Sequence, residues 1–252
     1  MRSSSLPAQR ATAVSRRTGR LLAVLLSLLG SGCSIATLGT ALPIDQGTSQ
    51  VIVAPSVVRV ALSGKPYTGP QVELGGRYGI SKNVDIGARI WLPLPGYALD
   101  TRIALRRSED RERGFDMGLQ PGVSYIYVPG GEADSSPLHI ASATLPLLLG
   151  WNLGGGKQLV VAPKLIDVLS ASSSADGKAA NLLTVATTVG FIWPLTANFA
   201  LAPEIGLGKL LLGTVQGFGS DLWMSGVSGQ VSLGFLFGGH AQPLPRCVPD
   251  AP

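Results

Sequence analysis

The sequence predicts an all-β protein, an antiparallel closed membrane β-barrel of about ten strands. Three observations predict this fold. Apolar residues alternate with small or polar ones in successive segments, short and long links alternate between those segments, and aromatic residues collect near both segment ends. No helical periodicity persists for long beyond residue 33.

The alternation is clearest in residues 115–127, where the odd positions are apolar and the even positions include Asp116, Gly118 and Gln120. A period of two places the two sets on opposite faces of a strand. Segments of this kind predict strands near 50–62, 70–80, 83–92, 98–107, 114–127, 138–151, 158–168, 182–193, 198–208 and 227–237. Most are close to the ~9 to 11 residues with which a tilted strand crosses a bilayer.

The links between the predicted strands fall into two classes. Short turns join the second strand to the third, the sixth to the seventh and the eighth to the ninth, whereas longer links such as 129–137, 170–180 and 209–226 fall in the opposite phase. Membrane barrels have short periplasmic turns and longer extracellular loops. The longer links are therefore expected outside the cell, although the charged loop RSEDRERG at 107–114 stands where a short turn is expected.

The aromatic residues follow the same phase and predict two interfacial girdles. Near the predicted periplasmic ends lie Tyr78, Phe115, Trp151, Trp193, Phe199, Phe235 and Phe237. Near the outer ends lie Tyr67, Trp91, Tyr97, Tyr125, Tyr127 and Trp223. Trp91 has the wrong parity for a lipid-facing ring, so we expect it to cap the lumen.

The segment VELGGRYGISKNVDIGARIWLPL, which reads as strand, three-residue turn and strand, resembles small bacterial outer-membrane β-barrel proteins. The resemblance covers residues 50–237 as a pattern and implies a barrel assembled by the barrel-insertion machinery. Such barrels usually end at a terminal aromatic residue, whereas here 15 residues follow Phe237. A lipid-tethered soluble barrel that binds an apolar ligand is the alternative, but its outer face would be rich in Lys and Glu.

The N-terminus has the three parts of an export signal. Five of the 20 basic residues precede the apolar run LLAVLLSLLG at 21–30, and the small residues GSG then lead to Cys33. The run is shorter than the roughly 20 residues of a transmembrane helix. Because the remaining 15 basic residues balance the 15 acidic ones, the charge gives no support for a nucleic-acid partner.

The residues before Cys33 resemble the lipobox of bacterial lipoproteins, although Leu29 lies one place earlier than the usual leucine. The resemblance implies that the lipoprotein-processing machinery cleaves before Cys33 and that this cysteine carries lipid, palmitate included. It also implies sorting to the outer membrane, with the anchor holding the N-terminus on the periplasmic side. Ordinary signal cleavage after Ala41 is the alternative.

The predicted organisation has four parts: a signal peptide at 1–32, a lipidated N-terminus and linker at 33–48, a barrel domain at 49–238 and a Pro-rich tail at 239–252.

Ten charged residues fall in the row opposite the apolar residues of their own strands, and we expect them to point into the lumen. An Arg or Lys on the lipid face near the bilayer midplane would cost about 2 to 4 kcal/mol. The predicted lumen network comprises Glu73, Arg77, Asp85, Arg89, Asp100, Arg102, Arg106, Asp116, Lys164 and Glu204. These are five acids and five bases, so we expect them to pair, with water in the gaps.

The sequence offers little for catalysis or metal binding, since His139 and His240 are its two histidines. We expect no enzyme activity, cofactor or metal, and we interpret His139 as a loop residue. A lumen of about ten strands is filled by side chains. The expected role is therefore that of a structural or surface-exposed barrel in outer-membrane lipid, with a narrow transport pore as the alternative.

Overall fold

The computed structural model describes residues 35–62, 65–93, 95–110, 112–128, 138–173, 180–215 and 227–239. The predicted signal peptide, the predicted lipidation site Cys33 and all but the first residue of the predicted tail lie outside the described residues. The strands are β1 Ser49–Leu62, β2 Lys65–Ser81, β3 Val84–Leu92, β4 Gly96–Arg106, β5 Phe115–Leu119, β6 Gly122–Val128, β7 Leu138–Asn152, β8 Gln158–Ser173, β9 Ala180–Thr196, β10 Phe199–Val215 and β11 Val227–Gly238. Within the described part, no helix is long and apolar enough to cross a membrane.

The strands form a closed antiparallel barrel. Except for β5 and β6, strands adjacent in sequence pair with one another, and β1 pairs with β11, so the sheet closes on itself. β5 and β6 both lie between β4 and β7 and are separated by Gln120 and Pro121, so together they form one interrupted strand. The barrel therefore has ten strand positions, and the predicted all-β closed barrel is confirmed.

Prolines interrupt the pairing on one side of their strands, because proline has no N–H to donate. The ladder between β1 and β11 skips Pro55, that between β7 and β8 skips Pro163, and that between β9 and β10 skips Pro203. The opposite neighbour still pairs with each of these residues. The gaps let proline lie within long strands without opening the barrel.

The two faces of the barrel wall differ in polarity. Large apolar side chains point outward and are exposed, as at Val57 and Ile205, whereas Gln50, Ser56 and Gln230 point inward and are buried. An apolar outer band with a polar interior is typical of membrane barrels.

Aromatic pairs lie near both ends of the outer face. Phe199 and Phe237 lie at one end with ring centroids 5.1 Å apart, and Tyr97 stacks on Tyr125 at 5.2 Å near the other. The predicted girdle residues Tyr67 and Trp223 have side chains outside the described part.

The charged loop at 107–114 lies at the same end as the short turns and contacts two of them. Arg107 donates a hydrogen bond to the carbonyl of Lys82 at 2.6 Å, and a carboxylate oxygen of Glu112 accepts one from the N–H of Gly155 at 2.9 Å. The loop therefore links neighbouring turns at the end of the barrel where β1 begins and β11 ends.

Candidate functional site

Five charged side chains form a cluster inside the barrel on β2, β3 and β4. Arg77 makes ion pairs with Asp85 and with Asp100, the latter at 2.6 Å. Arg89 makes ion pairs with Glu73 at 3.0 Å and with Asp100 at 3.3 Å. The three carboxylates are buried, and a buried charge is tolerated when it is paired and hydrogen-bonded. Half of the ten predicted lumen residues are thus brought together as acid–base pairs.

Asp116 also faces the lumen and is buried, but its neighbours are amides. Its carboxylate accepts hydrogen bonds from Asn152 Nδ2 at 2.9 Å, Gln158 Nε2 at 3.1 Å and the N–H of Ser108 at 2.8 Å. Three such donors can satisfy a buried carboxylate. The expectation that lumen acids pair with bases therefore does not describe Asp116.

Arg106 does not point into the lumen, so the prediction was wrong for this residue. Its side chain is exposed at the end of β4, with the guanidinium carbon 5.9 Å from the centre of the Phe115 ring. The register of β4 against β5 shifts between Ala104 and Arg106. Such an irregularity changes which face the following side chains occupy, so strict parity fails beyond it.

The space within the wall is filled by residues 35–44 of the chain itself, all of which are buried. We call this stretch the N-terminal segment. It was expected to be part of a linker, and the structure instead packs it against the inner wall: Leu38 contacts the apolar cluster of Leu236 and Ala202, and Ala41 that of Leu148. The segment is apolar and carries no charge, so the barrel interior shields it from water.

Acceptors on the wall bind the backbone N–H groups of the N-terminal segment. Glu204 accepts from Thr37 at 2.6 Å with one carboxylate oxygen and from Leu38 at 2.9 Å with the other. The further pairs are Ile35 N–H to Gln230 Oε1 at 2.8 Å, Ala41 N–H to Gln158 Oε1 at 2.8 Å and Ile44 N–H to Asp85 Oδ2 at 2.9 Å. Side chains from β3, β8, β10 and β11 thus replace the ladder that the segment lacks.

Donors on the wall bind the carbonyl groups of the same segment. Lys164 donates to the carbonyl of Ile35 and, at 2.9 Å, to the hydroxyl of Thr37. Arg89 donates to the carbonyl of Ala36 at 3.2 Å, and Arg102 donates to that of Leu42 at 3.3 Å. Lys164, Glu204 and Arg102 therefore serve chiefly to hold the segment, a role that inward parity alone does not reveal.

Glycines in the wall leave room for the N-terminal segment. A Cβ added at Gly118 would lie 2.2 Å from the carbonyl oxygen of Ala41, and one at Gly150 would lie 2.6 Å from its Cβ. Gly39 in the segment has a φ of +140°, which favours glycine, and a Cβ added to it would lie 2.9 Å from Nη2 of Arg102. At these glycines the wall and the segment therefore lie too close together for a side chain between them.

Sequence reasoning missed the glutamines that hold the segment. Gln158 and Gln230 bind it directly, and Gln120 accepts a hydrogen bond from Arg102 at 3.4 Å. All three are buried. Alternation along the predicted strands places all three on the inner face, but the predicted lumen network was limited to charged residues.

Trp91 lies nearer the end of the barrel opposite the short turns. It is buried with Ala98 and Ile126, and its ring N–H donates to Glu73 at 2.9 Å. A cavity of about 20 Å³ beside Trp91 and Arg89 offers room for about one water molecule.

His139 is a strand residue of β7 rather than a loop residue. Its Nδ1 lies 2.5 Å from the hydroxyl of Tyr125, and its ring contacts that of Tyr127. It therefore belongs to the aromatic group at the end opposite the short turns. Among the described residues, no group of three or more His, Cys, Asp or Glu side chains could hold a metal ion.

The architecture is that of a membrane-type β-barrel with an occupied lumen. No family model matches the chain, and no curated protein matches it. Solved structures of similar architecture are outer-membrane barrels, and these likenesses concern the fold alone.

Three of these structures serve as examples of the likeness in fold. The translocator domain of the autotransporter NalP from Neisseria meningitidis is 16% identical with a TM-score of 0.41, over 93% of this chain and 99% of that one. An outer-membrane channel from Pseudomonas putida is 11% identical with a TM-score of 0.45, over 81% and 99% of the two chains. Neisserial surface protein A is 14% identical with a TM-score of 0.32, over 76% and 99%.

Proposed function

We propose that the chain is an outer-membrane β-barrel lipoprotein with a closed lumen, serving a structural or surface-exposed role. The apolar outer face supports the membrane location, because a soluble barrel would expose polar side chains there. The same feature weighs against the alternative of a soluble, lipid-tethered ligand carrier. The partners in this proposal are outer-membrane lipid and the machineries that process lipoproteins and insert barrels.

One observation carries the closed lumen: residues 35–44 are buried inside the barrel and bonded to its wall along their backbone. An ion crossing the barrel would have to displace this segment. Displacement would expose apolar side chains and leave ionised wall groups without partners. The resting barrel should therefore conduct little.

Single-channel recording on the full mature chain in planar bilayers tests the closed lumen. We expect no stable openings from the wild type, and stable wide channels would contradict the proposal. Fractionation with the outer membrane and a heat-dependent gel shift test the barrel in the same preparation. Recovery in the periplasmic soluble fraction would contradict the membrane location.

A gated narrow pore is the second candidate. Lys164 and Glu204 bind the N-terminal segment, and their charged side chains would line a polar passage if the segment left the lumen. The double variant Lys164→Ala/Glu204→Ala should then conduct while the wild type does not. The matched control removes an exposed pair, Lys157→Ala/Glu109→Ala. A closed double variant would count against the gated pore.

Intact-mass analysis of the purified protein tests the lipoprotein part. The lipobox-like residues before Cys33 lead us to expect a mature chain that begins at an acylated Cys33. A chain beginning at Leu42, or an unmodified Cys33, would contradict it. Cleavage after Ala41 would also remove most of the segment that fills the lumen, so the two predictions are linked.

A further inference from the structure

Two cations lie on the outer face of the barrel wall, toward the end opposite the short turns. Arg59 is on β1 and Lys209 is on β10, and both side chains are exposed. β11 runs between these strands: Arg59 pairs with Gly229, and Lys209 pairs with Val227 two residues along. Neighbouring strands lie about 4.8 Å apart and rise about 3.3 Å per residue, so the two Cα atoms are roughly 12 Å apart. Both long side chains can therefore reach the space above Gly229.

Between the two cations the wall presents a glycine. A Cβ added at Gly229 would have its nearest neighbour at 3.7 Å, on Leu207. Thr68 of β2 pairs with Arg59 on its other side and is exposed on the same face, so it adds a hydroxyl group. Within the described part of the chain, neither Arg59 nor Lys209 forms an ion pair. The two positive charges are thus available to an anion above this shallow gap.

An apolar surface lies next to the two cations, on the side of the short turns. The outward positions 231, 233, 235 and 237 of β11 are all apolar. Val57 of β1 and Ile205 of β10 flank Val231, and each of these three side chains is exposed. Exposed apolar patches of this kind mark membrane or partner contacts. The outer face therefore joins an anion-binding group to a surface suited to hydrocarbon.

The two cations lie close to the height at which the membrane ends. Phe199 and Phe237 form the aromatic pair at the short-turn end. Lys209 lies ten residues beyond Phe199, and Gly229 lies eight residues before Phe237. With a strand tilt of roughly 45°, these lengths span roughly 23 and 19 Å of an apolar band about 25 Å tall. Arg59 and Lys209 are therefore within reach of lipid headgroups at the far boundary of the band.

We propose that Arg59 and Lys209 bind the phosphate of an anionic membrane lipid whose acyl chains lie along the apolar surface beside them. Cations at a membrane boundary attract anionic lipid, and the apolar surface supplies the contact for its chains. A free phosphate would use the cations alone, so the lipid is the occupant that matches both features. The inference rests on the proposed function, which places the barrel in the outer membrane with the short turns in the periplasm. The lipid would then belong to the outer leaflet.

Lipid binding to the full mature chain in detergent, measured by native mass spectrometry, tests the site. The probes are phosphatidylglycerol, whose headgroup has a net negative charge, and phosphatidylcholine with the same acyl chains, whose headgroup has none. Arg59→Gln/Lys209→Gln removes both cations. The matched control, Lys82→Gln/Lys157→Gln, removes two exposed cations at the short-turn end.

We expect the wild type to prefer phosphatidylglycerol to phosphatidylcholine. One cation near a membrane surface changes the affinity for anionic lipid about five-fold, so the Arg59→Gln/Lys209→Gln chain should bind phosphatidylglycerol roughly 30-fold more weakly. Its binding of phosphatidylcholine should stay the same, and the control chain should bind both lipids as the wild type does. A heat-dependent gel shift shows that each variant is folded.

Three results would overturn the inference. The first is equal binding of phosphatidylglycerol by the wild type and the Arg59→Gln/Lys209→Gln chain. The second is displacement of phosphatidylglycerol by inorganic phosphate at the same concentration, which would show that the acyl chains contribute nothing. The third is a dimer that the double variant loses with its lipid binding unchanged, which would assign the cations to contact with a second copy.

Insertion of the wild type into phosphatidylcholine vesicles separates this inference from the proposed function. A barrel that inserts but shows no preference for phosphatidylglycerol stands as a membrane barrel, and only the lipid site is rejected. A wild-type chain that folds in solution and does not insert contradicts the membrane location itself, and the lipid site is rejected with it.

Discussion

The interaction of Glu204 with the N-terminal segment offers the sharpest test of the plugged lumen. Its two carboxylate oxygens accept the N–H groups of Thr37 and Leu38 at 2.6 and 2.9 Å, and all three residues are buried. Glu204→Ala removes both acceptors at once. The substitution creates no new bulk, so the segment is not pushed out by a clash.

In Glu204→Ala, the N–H groups of Thr37 and Leu38 remain without an acceptor, and the expected loss of stability of the bound segment follows from them. A buried donor without an acceptor costs about 1 to 3 kcal/mol, so two cost about 2 to 6 kcal/mol. The large apolar side chains of the segment contribute about 6 to 12 kcal/mol together, at about 1.5 to 3 kcal/mol for each of Ile35, Leu38, Leu42 and Ile44. We therefore expect the segment to stay in the lumen and to open locally far more often.

Amide hydrogen exchange at Thr37 and Leu38 measures the opening. A loss of about 2 kcal/mol corresponds to roughly 30-fold faster exchange, since about 1.36 kcal/mol is a factor of ten. Glu204→Gln keeps one acceptor oxygen and should give an intermediate rate, and Glu109→Ala removes an exposed carboxylate as the control. Equal exchange at the two amides in Glu204→Ala and Glu109→Ala would refute the reasoning.

Three further predictions concern the wall. Gly118→Ala places a Cβ against the carbonyl of Ala41 and should raise protease access to the segment. Gly229→Ala should not, because the nearest atom to its added Cβ is 3.7 Å away on Leu207. Ile205→Arg puts a cation on the lipid face and should lower the folding free energy in lipid vesicles by about 2 to 4 kcal/mol, whereas Ile205→Leu should be close to neutral. Arg77→Met leaves two buried carboxylates without their shared base and should destabilise the barrel by about 3 to 5 kcal/mol in denaturant titrations; a stability equal to wild type would show that the ion pairs contribute nothing.

Local sequence pattern was enough to predict the barrel. Alternation in residues 115–127 reflects a period of two that each strand carries within itself, so it needs no knowledge of distant residues. The same parity placed Arg77, Asp85 and Asp100 on the inner face, where their ion pairs form. It failed at Arg106, because the register shift that turns this side chain outward depends on how β4 pairs with β5.

By itself, then, the sequence determined the strands, their closure into a barrel and most of the inward row of charges. Only the tertiary structure decided what those charges bind. Thr37 and Glu204 are 167 positions apart and Ile35 and Gln230 are 195 apart, and such contacts leave no periodic trace in either partner. In the sequence, an uncharged stretch between a predicted signal peptide and a barrel looks like a linker. Its buried position is seen only in the closed barrel, because the groups that satisfy its backbone come from four different strands.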